Sequence, residues 1–109
     1  MKLVNLTGHP LNFTHLDIIL PPHELCAKVT QRHDLVSMTS GIPVFDITYL
    51  GITGLPDPEE GTIYIVSAPV LNGVRELYPD RTDVVATFKP IKNPATGQTV
   101  GCGALRLKG

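Results

Sequence analysis

The sequence predicts an α+β fold: a mixed, mainly antiparallel β-sheet with one short helix in a β-α-β crossover. Three observations predict it. Short apolar segments alternate with turns, because 10 prolines and 10 glycines are spread along the chain. One segment has helical rather than strand-like spacing, and it lies between two apolar segments typical of strands. A strand, a helix and a strand over so short a span form a crossover with parallel strands.

The first half of the chain consists of strand candidates. They are residues 2–6, 10–20, 24–31 and 42–52. Residues 24–31 alternate between apolar and polar side chains, as in a strand with one wet face. We expect this strand to form a hairpin with residues 10–20, closed by Pro21 and Pro22.

Residues 42–52 show the same alternation. Phe45, Ile47 and Tyr49 belong to one face, and Val44, Asp46 and Thr48 belong to the other. The proline-rich, acidic residues 54–61 that follow are expected to form a loop.

The middle of the chain predicts the crossover. Residues 62–67 are apolar on both faces, which marks a central strand. Apolar residues then recur at helical spacing, so a short helix is expected over residues 68–78. Ser67 is placed to cap it, Pro69 suits its first turn, and Pro79 ends it. Residues 82–88 form the returning strand, and a turn at 93–99 leads to a last strand over 100–108.

Length and charge limit the function classes. The 109 residues are expected to form one compact domain, 1–109. The formal net charge of -1 argues against duplex nucleic acid as a partner, and no apolar run is long enough to cross a membrane. We therefore expect a cytoplasmic protein, in which Cys26 and Cys102 are reduced thiols.

Four stretches resemble small uncharacterised proteins of bacteriophages, prophages and some bacteria. They are NLTGH at residues 5–9, GLPDPEEGTIYIVS at 54–67, RTDV at 81–84 and GC at 101–102. The resemblance carries no catalytic motif. It implies an accessory protein that acts in the bacterial host cytoplasm during phage infection. Phage genes of this size often encode inhibitors of host defence, including proteins that sequester nucleotide signals.

An anion site is expected where the helix begins. Unpaired amides at a helix start, beside the carboxyl edge of a strand, attract anions, which makes Ser67 a candidate. Arg81 would clamp a phosphate or carboxylate against these amides if it reaches the same edge. In the alternative, Ser67 only caps the helix and Arg81 pairs with Asp80 or Asp83.

Two further sets of side chains are ligand candidates. Asn5, Thr7 and His9 offer hydrogen bonds to a base edge or a hydroxyl, or else they close a tight turn. The rings of Tyr64 and Tyr49 would stack on a base at a pocket edge, and core packing is their alternative role.

Metal and catalytic sites are not indicated. His9, His15, His23 and His33 lack the close helical pairing of a zinc hydrolase, and the acidic loop 54–61 suits a solvated turn. The sequence also lacks the glycine-flanked serine of a nucleophile elbow. We expect no metal, no cofactor and no catalytic residue.

The resulting hypothesis is a non-enzymatic protein that binds a small phosphorylated or nucleotide-like ligand, as a phage anti-defence protein that sequesters such a signal. The ligand-binding residues would be Asn5, Thr7, His9, Tyr64, Ser67 and Arg81. The alternatives are an interaction module that inhibits a host protein, and a small phosphodiester hydrolase. A short chain gains pocket walls by assembly, so a homo-oligomer is also expected.

Overall fold

The computed structural model describes residues 2–13, 16–92, 94–97 and 99–107. The elements are β1 (Lys2–Asn5), β2 (Leu11–Phe13), β3 (Ile18–Leu20), β4 (Lys28–Thr39), β5 (Ile42–Thr53), β6 (Thr62–Val66), α1 (Ala68–Leu77), β7 (Val84–Lys92) and β8 (Thr99–Arg106). Mixed strands with one short helix among the described residues confirm the α+β class.

A four-stranded sheet carries the crossover. Its strand order is β1-β6-β7-β8, with β6 parallel to both β1 and β7, and β8 antiparallel to β7. The apolar strand β6 therefore lies between two neighbours, as its sequence predicts. Helix α1 connects the parallel strands β6 and β7, which confirms the predicted β-α-β unit.

Both faces of β6 are buried. On one face, Tyr64 and Val66 pack with Val70, Leu71 and Val74 of α1. The cluster on the opposite face comprises Ile65, Leu11 and Phe13, with Leu20, Val85 and Leu105 packed against it. Burial of each large apolar side chain contributes about 1.5–3 kcal/mol, so these two clusters hold the crossover in place.

Two hairpins lie outside this sheet, and they differ from the predicted pairing. β2 pairs with β3, and β4 pairs with β5, so the expected hairpin between residues 10–20 and 24–31 is wrong. The β4–β5 turn consists of Ser40 and Gly41, whose φ angles of 52° and 78° are both left-handed. A two-residue turn of this kind matches the twist of the strands, and it selects β5 as the partner of β4.

The faces predicted for β5 are confirmed by its register with β4. Phe45 lies opposite Leu35, and Ile47 lies opposite His33. Directly opposed residues of an antiparallel pair point to the same face, so these four side chains form one row.

Ser67 precedes the first residue of α1, Ala68, as predicted, but the predicted side-chain cap is wrong. Ser67 occupies the N-cap position with an extended backbone, and its hydroxyl makes no capping hydrogen bond. A serine cap usually accepts from the second or third helical amide, and Pro69, at the second position, has no N–H to donate. The helix ends at Leu77, with Tyr78 as its C-cap.

Gly73 lets α1 approach the base of the β4–β5 hairpin closely. A Cβ atom at this position would lie 2.7 Å from Cγ2 of Val29 and 3.3 Å from Cδ1 of Tyr49. Val29 and Ile52 of the hairpin pack against the core cluster at the same place. Beyond this base, residues 32–47 are exposed along their whole length, and we refer to them as the arm.

The contact at Gly73 can be tested by adding one methyl group. Gly73→Ala should lower the free energy of unfolding by about 1 kcal/mol or more, because overpacking against Val29 costs more than the helix gains in propensity. Urea denaturation measures this change. The neighbouring exposed residue provides the control, since Asn72→Ala should leave stability unchanged or slightly higher. Stabilisation by Gly73→Ala would contradict the packing described here.

Candidate functional site

Asn5 closes the turn that follows β1. Its side chain is buried, and its amide nitrogen donates to the carbonyls of His9 at 2.8 Å and Leu20 at 3.0 Å. Its Oδ1 accepts from the backbone N–H of Thr7 at 3.0 Å and from the Thr7 hydroxyl at 2.6 Å. All four hydrogen-bonding positions of the amide are thereby used within the protein, so the turn interpretation of this segment is confirmed for Asn5.

The rest of that turn lies nearer the surface. The Thr7 hydroxyl also contacts the carbonyl of His9 at 3.0 Å, and Gly8 adopts a φ of 85°. Nδ1 of the exposed His9 ring lies 3.2 Å from the carbonyl of Pro10. A ligand role for Thr7 and His9 stays a prediction.

Arg81 forms an ion pair with Asp83, which is the alternative to an anion clamp given in the sequence analysis. Its Nε and Nη2 lie 2.8 Å and 3.0 Å from the two carboxylate oxygens of Asp83, a bidentate geometry. Nη2 also donates to the carbonyl of Pro56 at 3.1 Å, so the guanidinium fastens the acidic loop to the start of β7. Both side chains of the pair are only 16% exposed. Within the part of the chain that the structure describes, Nη1 of Arg81 makes no hydrogen bond.

Tyr64 anchors the same loop from the other side. Its ring lies in the core, and its hydroxyl donates to the carbonyl of Asp57 at 3.2 Å. Burial raises the pKa of the Tyr64 phenol above its usual value, and the carboxylates of Glu59 and Asp83 raise it further, against the opposing effect of Arg81. Core packing, the alternative considered for Tyr64, is therefore what the structure shows.

Five of the six predicted ligand-binding residues fall at two edges of the sheet, whereas Tyr64 lies within β6. Asn5 is the last residue of β1, Thr7 and His9 follow it, and Ser67 follows β6, so these four residues lie at the carboxyl edge. Arg81 precedes β7, whose first residues pair with the middle of β6, so it lies at the amino edge. Because β6 and β7 are parallel, the structure does not bring Ser67 and Arg81 together as an anion clamp.

Arg81 instead lines a cleft between α1 and the β4–β5 hairpin. The cleft has a volume of about 540 Å³, and its lining residues are Tyr49, Asn72, Arg75, Glu76, Pro79, Arg81, Thr82 and Leu107. A hollow of about 380 Å³ adjoins it along the hairpin and shares Tyr49 and Glu76. Two guanidinium groups, an aromatic ring, an amide and a hydroxyl thus surround one space.

Three of these lining residues come from one face of α1. Asn72, Arg75 and Glu76 stand at positions i, i+3 and i+4 and are exposed. Arg75 makes no ion pair within the described residues. The helical spacing of these three polar residues is visible in the sequence. The predicted helix was placed from its apolar stripe, and its polar stripe was not considered as a binding surface.

The remaining candidates do not assemble. Among the described residues, no group of three or more His, Cys, Asp or Glu side chains is placed to hold a metal ion. Nδ1 of His23 accepts from the amide of Leu25, and the His33 ring contacts Gln31. Cys26 is a free, half-buried cysteine. His15 and the side chain of Cys102 lie outside the described residues.

The chain matches no family model, no curated protein and no solved structure. In the described part of the chain, no helix combines the length and the apolar character needed to cross a membrane.

Replacing Asn5 tests the buried turn. Asn5→Ala should lower the free energy of unfolding by about 2–4 kcal/mol, since it leaves several backbone groups without a partner. Thermal and urea denaturation measure the loss. Asn12→Ala, on the half-buried β2, is the matched control and should cost less than about 1 kcal/mol. Equal losses in both variants would contradict the role assigned to the Asn5 network.

The raised pKa of Tyr64 predicts a loss of stability in alkali. The unfolded chain releases this proton near pH 10, whereas the folded protein releases it only at higher pH. Stability conferred by the protonated phenol is thus complete below about pH 10 and is lost as the pH rises through the folded pKa. Tyr64→Phe should show a shallower decline than the wild type as the pH rises above about 10, measured by urea denaturation. Parallel declines would contradict the prediction.

Proposed function

We propose that this protein is a non-enzymatic binding protein for a small phosphorylated or nucleotide-like ligand, held in the cleft between α1 and the β4–β5 hairpin. The observation that carries the proposal is the convergence of Arg75, Arg81 and Tyr49 on one cleft of about 540 Å³. Small-molecule sites usually measure about 300–1,000 Å³, which accommodates a nucleotide.

The two arginines supply the affinity for phosphate. A guanidinium binds phosphate oxygens through charge-assisted and often bidentate hydrogen bonds. Arg81 is held in one orientation by Asp83 and the Pro56 carbonyl, so little side-chain entropy is lost when its remaining N–H groups bind a ligand. Arg75 is exposed and pairs with no carboxylate of the described residues, so its positive charge, unlike that of Arg81, is not offset by an ion pair.

The other lining groups favour a nucleotide over simple phosphate. The carboxylate of Glu76 carries a negative charge, which opposes a bare anion beside it. It would accept hydrogen bonds from ribose hydroxyls or a base amino group, and Asn72 and Thr82 add further polar contacts. Tyr49 offers a ring on which a base would stack.

We propose sequestration without turnover. The described residues lining the cleft include one carboxylate, Glu76, and no histidine, cysteine or serine to act with it as a nucleophile or second acid–base group. The setting, a phage anti-defence protein in the cytoplasm of a bacterial host, is supported by the sequence resemblance alone. If the protein were a phosphodiester hydrolase instead, chromatography would show that a cyclic dinucleotide incubated with it is lost over time.

A protein-interaction module is the second candidate, because the arm is exposed and apolar. Leu35, Met38 and Phe45 of the arm are each more than half exposed. Large exposed apolar patches mark surfaces that bind other macromolecules. If a host protein were the target, a pull-down would recover a stoichiometric partner, and nucleotides would leave the melting temperature unchanged.

Thermal shift against a panel of nucleotides and cyclic dinucleotides tests the ligand proposal. A ligand present at 100 times its Kd stabilises the folded state by about 2.7 kcal/mol, so the Tm should rise by several degrees. Arg75→Ala should weaken binding roughly tenfold with little effect on the unliganded Tm, since Arg75 is exposed and unpaired within the described residues.

Arg32→Ala provides the matched control, because Arg32 is an exposed arginine of the arm outside the cleft lining. It should leave ligand affinity unchanged in isothermal titration. Arg81→Ala is a less selective test, since it also removes the ion pair with Asp83. The absence of any Tm shift with the whole panel, or equal affinity losses in Arg75→Ala and Arg32→Ala, would refute the cleft as the site.

A further inference from the structure

The arm is a two-stranded ribbon with unusual exposure of large apolar side chains. These are Leu35, Val36, Met38, Ile42, Val44, Phe45 and Ile47, with exposed fractions from 40% to 65%. An isolated two-stranded ribbon is marginally stable in water, and it usually needs further strands or a helix against its apolar face. α1 fulfils this role only at the base of the hairpin.

The register divides the arm into two chemically different faces. Leu35 opposes Phe45, His33 opposes Ile47, and Met38 opposes Pro43, which together form an apolar face. The opposite face carries the charges: Asp34 lies across from Asp46, and Arg32 pairs with Asp34 at 2.9 Å. Val44 and Ile42, opposite Ser37 and Thr39, also lie on this face. We call these the apolar face and the charged face of the arm.

The apolar face continues a surface that is already buried. Tyr49 follows Ile47 on the same side of β5 and lies against Gly73 of α1. Val29 and Ile52, further towards the base, pack against the core. The same side of the hairpin is therefore covered by the helix near the body and uncovered along the arm.

We propose that the apolar face of the arm packs against the same face of a second copy of this chain, around a twofold axis. The apolar face carries no Asp, Glu, Lys or Arg, so self-pairing brings no like charges together; pairing through the charged face would place Asp34 and Asp46 near their own copies. Every copy of the chain has this uncovered ribbon, so the partner that covers it must be present in equal amount. A second copy of the chain meets this requirement.

The size of the surface agrees with this partner. Leu35, Met38, Phe45 and Ile47 are 46–60% exposed. Four large side chains exposed to this extent present apolar surface on the order of a few hundred Å² on each chain. A standard specific interface buries about 800 Å² per partner, within reach of such a face and its rim. The proposal does not depend on the ligand proposed for the cleft.

Sedimentation equilibrium of the full-length protein tests the assembly. The wild type should have twice the chain mass of 11.8 kDa, and Phe45→Arg should have the mass of one chain. Leu35→Arg, on the same face, should behave likewise. Val44→Arg is the matched control, because Val44 lies on the same strand but on the charged face, opposite Ser37, and this variant should remain a dimer.

Each substituted side chain is at least 40% exposed within one chain, so the variants should keep the circular dichroism spectrum of the wild type. A wild type with the mass of one chain would overturn the proposal and leave the face to a different protein. The proposal would also be overturned if both Phe45→Arg and Leu35→Arg remained dimers. Dissociation of Val44→Arg to the same extent as these two variants would overturn it as well.

Discussion

The close contact between α1 and the base of the β4–β5 hairpin, made where Gly73 carries no side chain, positions both candidate interaction surfaces of this protein. It brings Val29 and Tyr49 of the hairpin against the helix. The gap beside this contact, towards the end of the helix, is the cleft with its two arginines. Because the helix covers only the base of the hairpin, the arm extends beyond it without cover. A single packing contact thereby accounts for both candidate interaction surfaces.

Polar interactions hold the acidic loop and the turn after β1, which lie outside this packing contact. Arg81 and Tyr64 hold the acidic loop through the carbonyls of Pro56 and Asp57, and Asn5 closes the turn after β1. These contacts are structural, yet one of them also serves the proposed site. Asp83 holds the Arg81 guanidinium in place at the wall of the cleft, so the same residue would serve both stability and the proposed ligand binding.

The sequence predicts the elements well where the signals are local. The helical period of the apolar side chains, together with Pro69 and Pro79, was enough to place α1. The apolar run before the helix was enough to place β6 in the centre of the sheet. Strand pairing was less accessible, since alternation identifies a strand but not its partner; the Ser40–Gly41 turn decides that. The cleft was missed because Tyr49 and Arg75 are distant in sequence and meet only through tertiary packing.

The cleft and the arm also lie on a continuous surface. Tyr49 lines the cleft, and Ile47 next along the apolar face lines the adjoining hollow, so a second chain on the arm would border the ligand site. All of this depends on the helix touching the hairpin at Gly73. Nuclear Overhauser measurements in solution examine that contact directly. We expect cross-peaks from the Gly73 α-protons to the Val29 methyl group and the Tyr49 ring; their absence in a folded sample would contradict the arrangement from which both surfaces follow.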